Sequence, residues 1–299
     1  MSAIKNVAVV GASGSLGSVV FEKLVASGKF NIKVLRRHGS KSTFAPGINV
    51  VNVDFQSLES LTEALKGQDA VVSTAGTELL AGQKLIIDAA IAAGVKRFIP
   101  SEFGSNLDVP STRKLSVYTY KVQVQDYLIE KSKTTGLSYT FVYNAAFLDW
   151  GLDHDFTLRV SNYKPMIIDG GDITFSSTTL STVADAVIGV LEHPEETKNR
   201  PVYIEDTKIT QNKLLSIVKQ VAPEKPWEVE HVKLADLAAK GDAKLAQGIF
   251  DNDVVLGNLY QSIFNPSMGA NFEKTDNKLL GLKGLTDEEV VEVVKKHIK

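Results

Sequence analysis

The chain has 299 residues, 43% of them hydrophobic, with 33 lysines and arginines against 35 aspartates and glutamates. That composition supplies a packed interior, the length suits a large domain with a smaller appended lobe, and the dispersed charge gives neither a basic stripe for nucleic acid nor a polybasic membrane tether. With no cysteine, disulfides, thiolate catalysis and cysteine metal sites are excluded. No apolar run reaches the length of a membrane span, the first strand begins too early to leave room for a signal peptide, and the expected location is cytoplasmic.

The first predicted element is a buried strand, Val7-Ala8-Val9-Val10, which runs into Gly11-Ala12-Ser13-Gly14-Ser15-Leu16-Gly17. Three glycines spaced three apart let the backbone turn sharply and approach a pyrophosphate. The helix that follows would aim its free N–H groups and positive dipole end at the phosphates. Apolar Leu16, Val20, Phe21 and Leu24 recur at helical spacing, and Gly28 sits where the helix would stop. The spacing is G-x-x-G-x-x-G rather than the commoner G-x-G-x-x-G, but the strand before it and the helix after it are the context a dinucleotide turn requires. Gly11, Ser13, Gly14, Ser15, Leu16 and Gly17 are therefore expected to contact a cofactor.

The second strand, residues 32–35, runs into Arg36, Arg37 and His38, with Lys41 close behind. An acidic side chain at this point would accept hydrogen bonds from the ribose hydroxyls of NAD. A guanidinium instead suits the 2′-phosphate of NADP, which it can bind through two parallel hydrogen bonds. Arg36, Arg37 and Lys41 are predicted to select NADPH; the other reading is a charged loop that simply faces water.

The alternation continues with a strand at 48–53 and a helix at 57–65 carrying Leu58, Leu61 and Leu65 on one face, with Gly67 as its stop. A strand at 70–73 leads to Thr74-Ala75-Gly76 and an alanine-rich helix ending at Gly94. Strand 97–99, helix 116–135 and strand 139–143 follow. This order predicts an α/β fold, a Rossmann-type doubly wound parallel sheet covered on both faces, with ligands across the carboxyl ends of its strands. The crevice would gather the glycine turn, Arg36, Thr74, Ala75, Gly76, Phe103 and Asn144. Past Ala145 the rhythm changes. Residues 1–150, with a return segment at about 172–206, are expected to form the nucleotide domain, and residues 151–171 and 207–299 a smaller, mostly helical substrate lobe. In the last helix Thr286 and Glu289 form a predicted capping box, and Lys295, Lys296 and His297 sit at its negative end.

Around the fifth strand the sequence reads Pro100-Ser101-Glu102-Phe103-Gly104, and seventeen residues after Gly104 comes Lys121. On these residues the chain resembles the NmrA-like, isoflavone-reductase-like branch of atypical short-chain dehydrogenases, whose members carry the same motif and a lysine at this point on the next helix. The likeness covers the nucleotide domain and, more faintly, the second lobe. It implies NADPH binding through the glycine turn, Arg36 and the 74–76 segment, a small phenolic or phenylpropanoid-like substrate, and an acid/base role for Lys121. Some relatives are instead non-catalytic NADP(H) sensors that act through a protein partner, and that alternative stands beside the reductase. One departure is that Gln123, Gln125 and Asp126 replace basic residues that often follow the family lysine.

A lysine serves as an acid/base group near neutrality when desolvation or a nearby positive charge lowers its pKa. Alternatively it anchors the nicotinamide ribose as a point charge. The tyrosine–lysine pair four apart that ordinary short-chain dehydrogenases use is absent, since Val117 precedes Lys121 by four. Tyr118, three before it, is the remaining candidate for a tyrosine acid held by Lys121 on the same face. Phe147 and Trp150, bunched just after the sixth strand, are candidate substrate contacts, although aromatics of this kind equally build cores. The five histidines show no ligand spacing, so no metal is expected, and no G-x-S-x-G turn marks a serine nucleophile.

Overall fold

Strands buried on both faces form the centre of the molecule. The computed structural model describes residues 3–298, apart from the side chain of Thr77. The chain begins β1 (Asn6–Val10), α1 (Ser15–Ala26), β2 (Asn31–Arg37), β3 (Asn49–Val53), α2 (Leu58–Leu65), β4 (Ala70–Ser73), α3 (Gln83–Ala92) and β5 (Arg97–Ile99). It continues through α4 (Pro110–Arg113), α5 (Thr119–Thr134), β6 (Ser138–Tyr143), β7 (Ala146–Phe147), α6 (Leu148–Asp153), β8 (Met166–Ile168) and β9 (Phe175–Thr178). After α7 (Leu180–Glu192) and β10 (Arg200–Tyr203) come β11 (Thr207–Ile209), α8 (Gln211–Val221), β12 (Glu230–Val232), α9 (Leu234–Ala246), α10 (Asn252–Phe264) and α11 (Asp287–His297).

Seven strands pair in the order β10-β6-β5-β4-β1-β2-β3, every neighbouring pair parallel. From β1 the chain winds outward to β2 and β3, then crosses back to β4 on the other side of β1. The winding reverses there, and a crevice opens at the carboxyl ends of β1 and β4. Alternate side chains cover the two faces, as the period of two demands. Val7, Val9, Val72 and Ile99 pack on Val20 and Leu24 of α1 and Val183 and Val187 of α7. Ala8, Val10, Val71 and Phe98 meet Leu61 and Leu65 of α2, Ile86 of α3 and Val124 of α5.

Three expectations change in detail. Leu58 is 45% exposed while Leu61 and Leu65 are fully buried, because Leu58 is the first residue of α2, directly after the Ser57 cap whose hydroxyl accepts from the Ser60 N–H. The helix expected over 116–135 is a 3-10 turn, Ser116–Tyr118, followed by α5. Residues 207–299 are mostly helical, but outside the seven-stranded sheet there are also two small sheets, β12-β8 and β11-β9-β7, the latter drawing β7 and β9 from segments expected in the nucleotide domain; their strands of two to four residues are too short to show a hydrophobic period. Among the described residues no helix is long and apolar enough to cross a membrane.

Candidate nucleotide and substrate site

The glycine turn owes its shape to close packing. Gly11 has φ +81°, and a Cβ on it would lie 2.5 Å from the Thr74 carbonyl oxygen; on Gly17 a Cβ would lie 2.0 Å from the Gly11 carbonyl oxygen. These two glycines let α1 settle onto the ends of β1 and β4. Gly14 is different, since the nearest atom to a Cβ there is 3.5 Å away. It caps α1 with extended backbone and no side-chain cap among the described residues, so the first-turn N–H groups of Ser15, Leu16 and Gly17 have no partner inside the helix. Thr74 completes the cradle by donating from both its N–H and its hydroxyl to the Val10 carbonyl.

A cavity of about 1090 Å³ runs from this turn across the strand ends, with Arg36 and Arg37 on one wall and Thr74, Ala75, Gly76, Ser101, Phe103 and Phe147 on the other. Its donor set fits a phosphorylated dinucleotide. Bare N–H groups at a helix N-terminus face the middle of the cavity, and a guanidinium stands at the end of β2. Arg36 donates from Nε to Asn52 Oδ1 at 2.8 Å and from Nη1 to the Ser42 carbonyl at 2.7 Å, which holds the guanidinium in place. Ser40, Ser42 and His38 share that wall. Arg37 is on the wall too, 74% exposed and 4.0 Å from Glu78. Lys41 is exposed and lies off the wall.

Lys121 sits in the first turn of α5. Its Nζ donates to the carbonyl of Glu102, and the Cβ position of Gly104 is 3.8 Å from the same nitrogen. The ammonium thus rests against the loop that supplies the wall residues Ser101 and Phe103, but Lys121, expected to contact the cofactor, does not itself line the cavity because its Nζ is turned onto the Glu102 carbonyl. Desolvation lowers its pKa, opposed by the Glu102 carboxylate. Glu102 is 2% exposed, and burial pushes its carboxyl up to about 7, with Lys121 and Gln125 pulling the other way. Ser101 is fixed from two sides: its N–H donates to Gln83 Oε1 at 2.9 Å and its hydroxyl to the Ala75 carbonyl at 2.9 Å.

Several predicted residues fall elsewhere. Asn144 is fully buried beneath the crevice and absent from its wall; its N–H donates to the Gly104 carbonyl, its carbonyl accepts from Thr178 Oγ1, and its Oδ1 has no partner among the described residues. Trp150 stands behind Phe147, with ring centroids 6.2 Å apart, because α6 starts at Leu148 and carries the indole onto His154, stacked at 4.0 Å. The Tyr118 hydroxyl is committed to Ser105 Oγ at 2.8 Å and Ser262 Oγ at 2.9 Å, where α10 docks on the nucleotide region. Gln125 and Asp126 both engage Arg113. Glu102, Gln83 and Gln125 are the site residues that sequence reasoning missed. A carboxylate flanked by Ser101 and Phe103 in an otherwise apolar strand end was the signal for Glu102. No group of three or more potential metal-ligating His, Cys, Asp or Glu side chains occurs among the described residues.

The fold and the cavity together are those of a Rossmann-type α/β protein. The sequence model of the NmrA-like family matches residues 3–275, and the chain belongs to that family. It is 36% identical over 231 residues to "Oxidoreductase aprR" of Aspergillus flavus, an alignment covering 76% of this chain and 77% of that protein. It is 31% identical over 291 residues to "Oxidoreductase poxI" of Penicillium oxalicum, covering 94% and 90%. Among solved structures, "AtPrR2 with NADP+ and (+)pinoresinol" superposes with a TM-score of 0.79 at 23% identity over the whole of both chains, a likeness of fold.

Proposed function

We propose that the protein is an NADPH-dependent oxidoreductase that reduces a small aromatic, conjugated substrate of phenolic or phenylpropanoid type. The observation that carries this reading is one cavity lined by the open glycine turn, by Arg36 at the end of β2, and by Ser101, Phe103 and Phe147. Two fungal relatives named as oxidoreductases, and a solved relative named with NADP+ and pinoresinol, support it. When bound, the cofactor supplies a hydride. The chain's own residues do the rest. The α1 N-terminus binds pyrophosphate, and Arg36 takes the 2′-phosphate. Phe103 and Phe147 give the substrate end an apolar surface that excludes water, which strengthens every polar contact made there. Residues 151–171 and 207–299 are assigned to a substrate lobe in this reading, and none of them lines the cavity.

Lys121 supplies or takes the proton at Nζ. What supports this is that its desolvation brings proton exchange closer to neutrality than a free lysine allows, and that its Nζ bonds to the loop which carries Ser101 and Phe103. The test is a panel of conjugated phenolic compounds, followed by loss of NADPH absorbance, with the parent protein and Lys121→Ala. The variant is expected to bind NADPH as the parent does and to lose at least about 100-fold in turnover. NADPH bound but never consumed across the panel would overturn the reductase in favour of a nucleotide sensor. Full turnover in Lys121→Ala would remove the proposed proton source.

A further inference from the structure

We propose that Glu102 is a positioning residue for Lys121: its main-chain carbonyl seats the lysine's ammonium, and its buried carboxylate, tied to Gln125, sets by its charge the pH range over which that ammonium persists. This rests on the reading of Lys121 as the acid/base group. Both ends of Glu102 are fastened to α5. Its main-chain carbonyl accepts from Lys121 Nζ, and its carboxylate Oε2 accepts from Gln125 Nε2 at 2.9 Å. Lys121 and Gln125 are four apart and share one face of the helix, so the two attachments fix one glutamate against one turn.

The anchor is itself braced. Gln125 is 1% exposed; its Oε1 accepts from Arg113 Nη1 at 2.7 Å, and its Nε2 also donates to the Tyr143 hydroxyl at 2.9 Å. With its oxygen taken by Arg113, the amide can offer Glu102 only N–H, which suits a carboxylate. Tyr143 in turn donates to Asp108 Oδ1 at 3.2 Å, and Tyr203 donates to Asp108 Oδ2 at 2.9 Å. The second carboxylate oxygen of Glu102, Oε1, is buried with no partner among the described residues. A buried carboxylate oxygen left bare is costly, and a cation close by is what offsets that cost. Lys121 and Arg113 are the cations that act on it; Asp108 opposes them, and Tyr118 and Tyr143 are the phenols whose ionisation it disfavours.

The experiment is pH-dependent labelling of Lys121 with an amine-selective acylating reagent, read by peptide mass spectrometry, which needs no turnover. In the parent protein the labelling curve is expected to show a second inflection near the pH of about 7 at which Glu102 ionises. In Glu102→Gln that inflection disappears and the main midpoint falls by about one pH unit, since the carboxylate that favours the ammonium is gone. The alkaline limb of the rate of NADPH consumption moves down with it. Glu102→Asp, which keeps the charge, is expected to restore most of the shift. A single-site curve in the parent, or a midpoint unmoved in Glu102→Gln, overturns the inference. A shift in Glu102→Asp as large as in Glu102→Gln does so too, because shape rather than charge would then matter. Turnover retained in Lys121→Ala would instead defeat the acid/base reading, whatever the labelling shows.

Discussion

Replacing Arg36 by alanine separates recognition of NADPH from general binding of a dinucleotide. A guanidinium carries five N–H donors. In Arg36, Nε serves Asn52 and one Nη1 hydrogen serves the Ser42 carbonyl. Three donors are left on the side chain that stands on the cavity wall. A hydrogen bond to a charged partner contributes about 1.5–3 kcal/mol. Loss of one such net interaction with the 2′-phosphate therefore predicts NADPH affinity weaker by about 10- to 150-fold. NADH has no phosphate there, so its affinity is expected to change by less than about threefold. Fluorescence titration of both nucleotides, in parent and variant at matched ionic strength, gives the two ratios. Raising the salt should shrink the NADPH difference in the parent, because part of that contact is exposed and screened. Arg36→Lys is the control for charge without the planar fork, and it should fall between the two. Equal weakening for both nucleotides would refute the argument, since Arg36 would then act by bracing the 37–44 loop against Asn52.

Four further outcomes follow from the geometry. Gly17→Ala forces a Cβ to 2.0 Å from the Gly11 carbonyl oxygen and is expected to cost about 3 kcal/mol or more, read as a lower melting temperature, whereas Gly14→Ala, with 3.5 Å of clearance, keeps its melting point; equal melting points would contradict this. Tyr118→Phe leaves Ser105 and Ser262 without their shared hydroxyl and should lose about 1–2 kcal/mol in urea while keeping turnover; a folded but inactive variant would return the tyrosine to the chemistry. Arg97, fully buried, donates to Ser138, Thr140, Thr197 and the Pro194 carbonyl, all uncharged, and Arg97→Lys is expected to lose about 2–4 kcal/mol because one ammonium cannot span four acceptors; an unchanged urea midpoint would count against that. Finally, the folded pKa of Glu102 is raised, so its contribution to stability is complete below about 4.5 and is lost as pH rises through about 7. Glu102→Gln should then melt like the parent at pH 4.5 and higher than it at pH 8; a constant difference across that range would argue against a raised carboxyl.

Much of the sheet was legible because its physics is local. Val7 to Val10 form an unbroken apolar run, which in a parallel strand means burial on both faces, and the structure divides those side chains between two cores. Gly28, Gly67 and Gly94, expected to stop helices, all have positive φ. The short strands β7, β8, β9, β11 and β12 gave no such signal. Phe175, Ser176, Ser177 and Thr178 are all buried, yet three of the four are polar, and what stabilises them is tertiary: Ser177 Oγ donates to the Ala146 carbonyl, Thr178 Oγ1 to the Asn144 carbonyl, and Ser176 Oγ to Glu205. Leu58 shows the same limit from the other side, since helical spacing cannot tell which apolar residue of a first turn reaches the core.

The candidate site divides along a similar line. Contacts made by backbone announce themselves, because glycine is needed where a side chain would collide, and Gly11 and Gly17 meet that condition. Contacts made by side chains from distant segments do not. Gln125 looked like a missing basic residue; in the fold it joins Arg113, Glu102 and Tyr143, which come from three other stretches of chain. The absence of a positive charge at that position is itself consequential. A lysine or arginine at 125 would be buried against Arg113, and it would compete with Lys121 for the Glu102 carboxylate, leaving Lys121 less strongly held as an ammonium. A neutral amide there accepts from Arg113 and donates to the Glu102 carboxylate without adding a positive charge that would rival Lys121. The substitution that weakened the sequence likeness is therefore what this arrangement of Arg113, Glu102 and Lys121 requires, and Gln125→Lys is expected to lower the Lys121 labelling midpoint even though residue 102 is untouched. A midpoint equal to the parent's in that variant would show that Gln125 does no more than fill space.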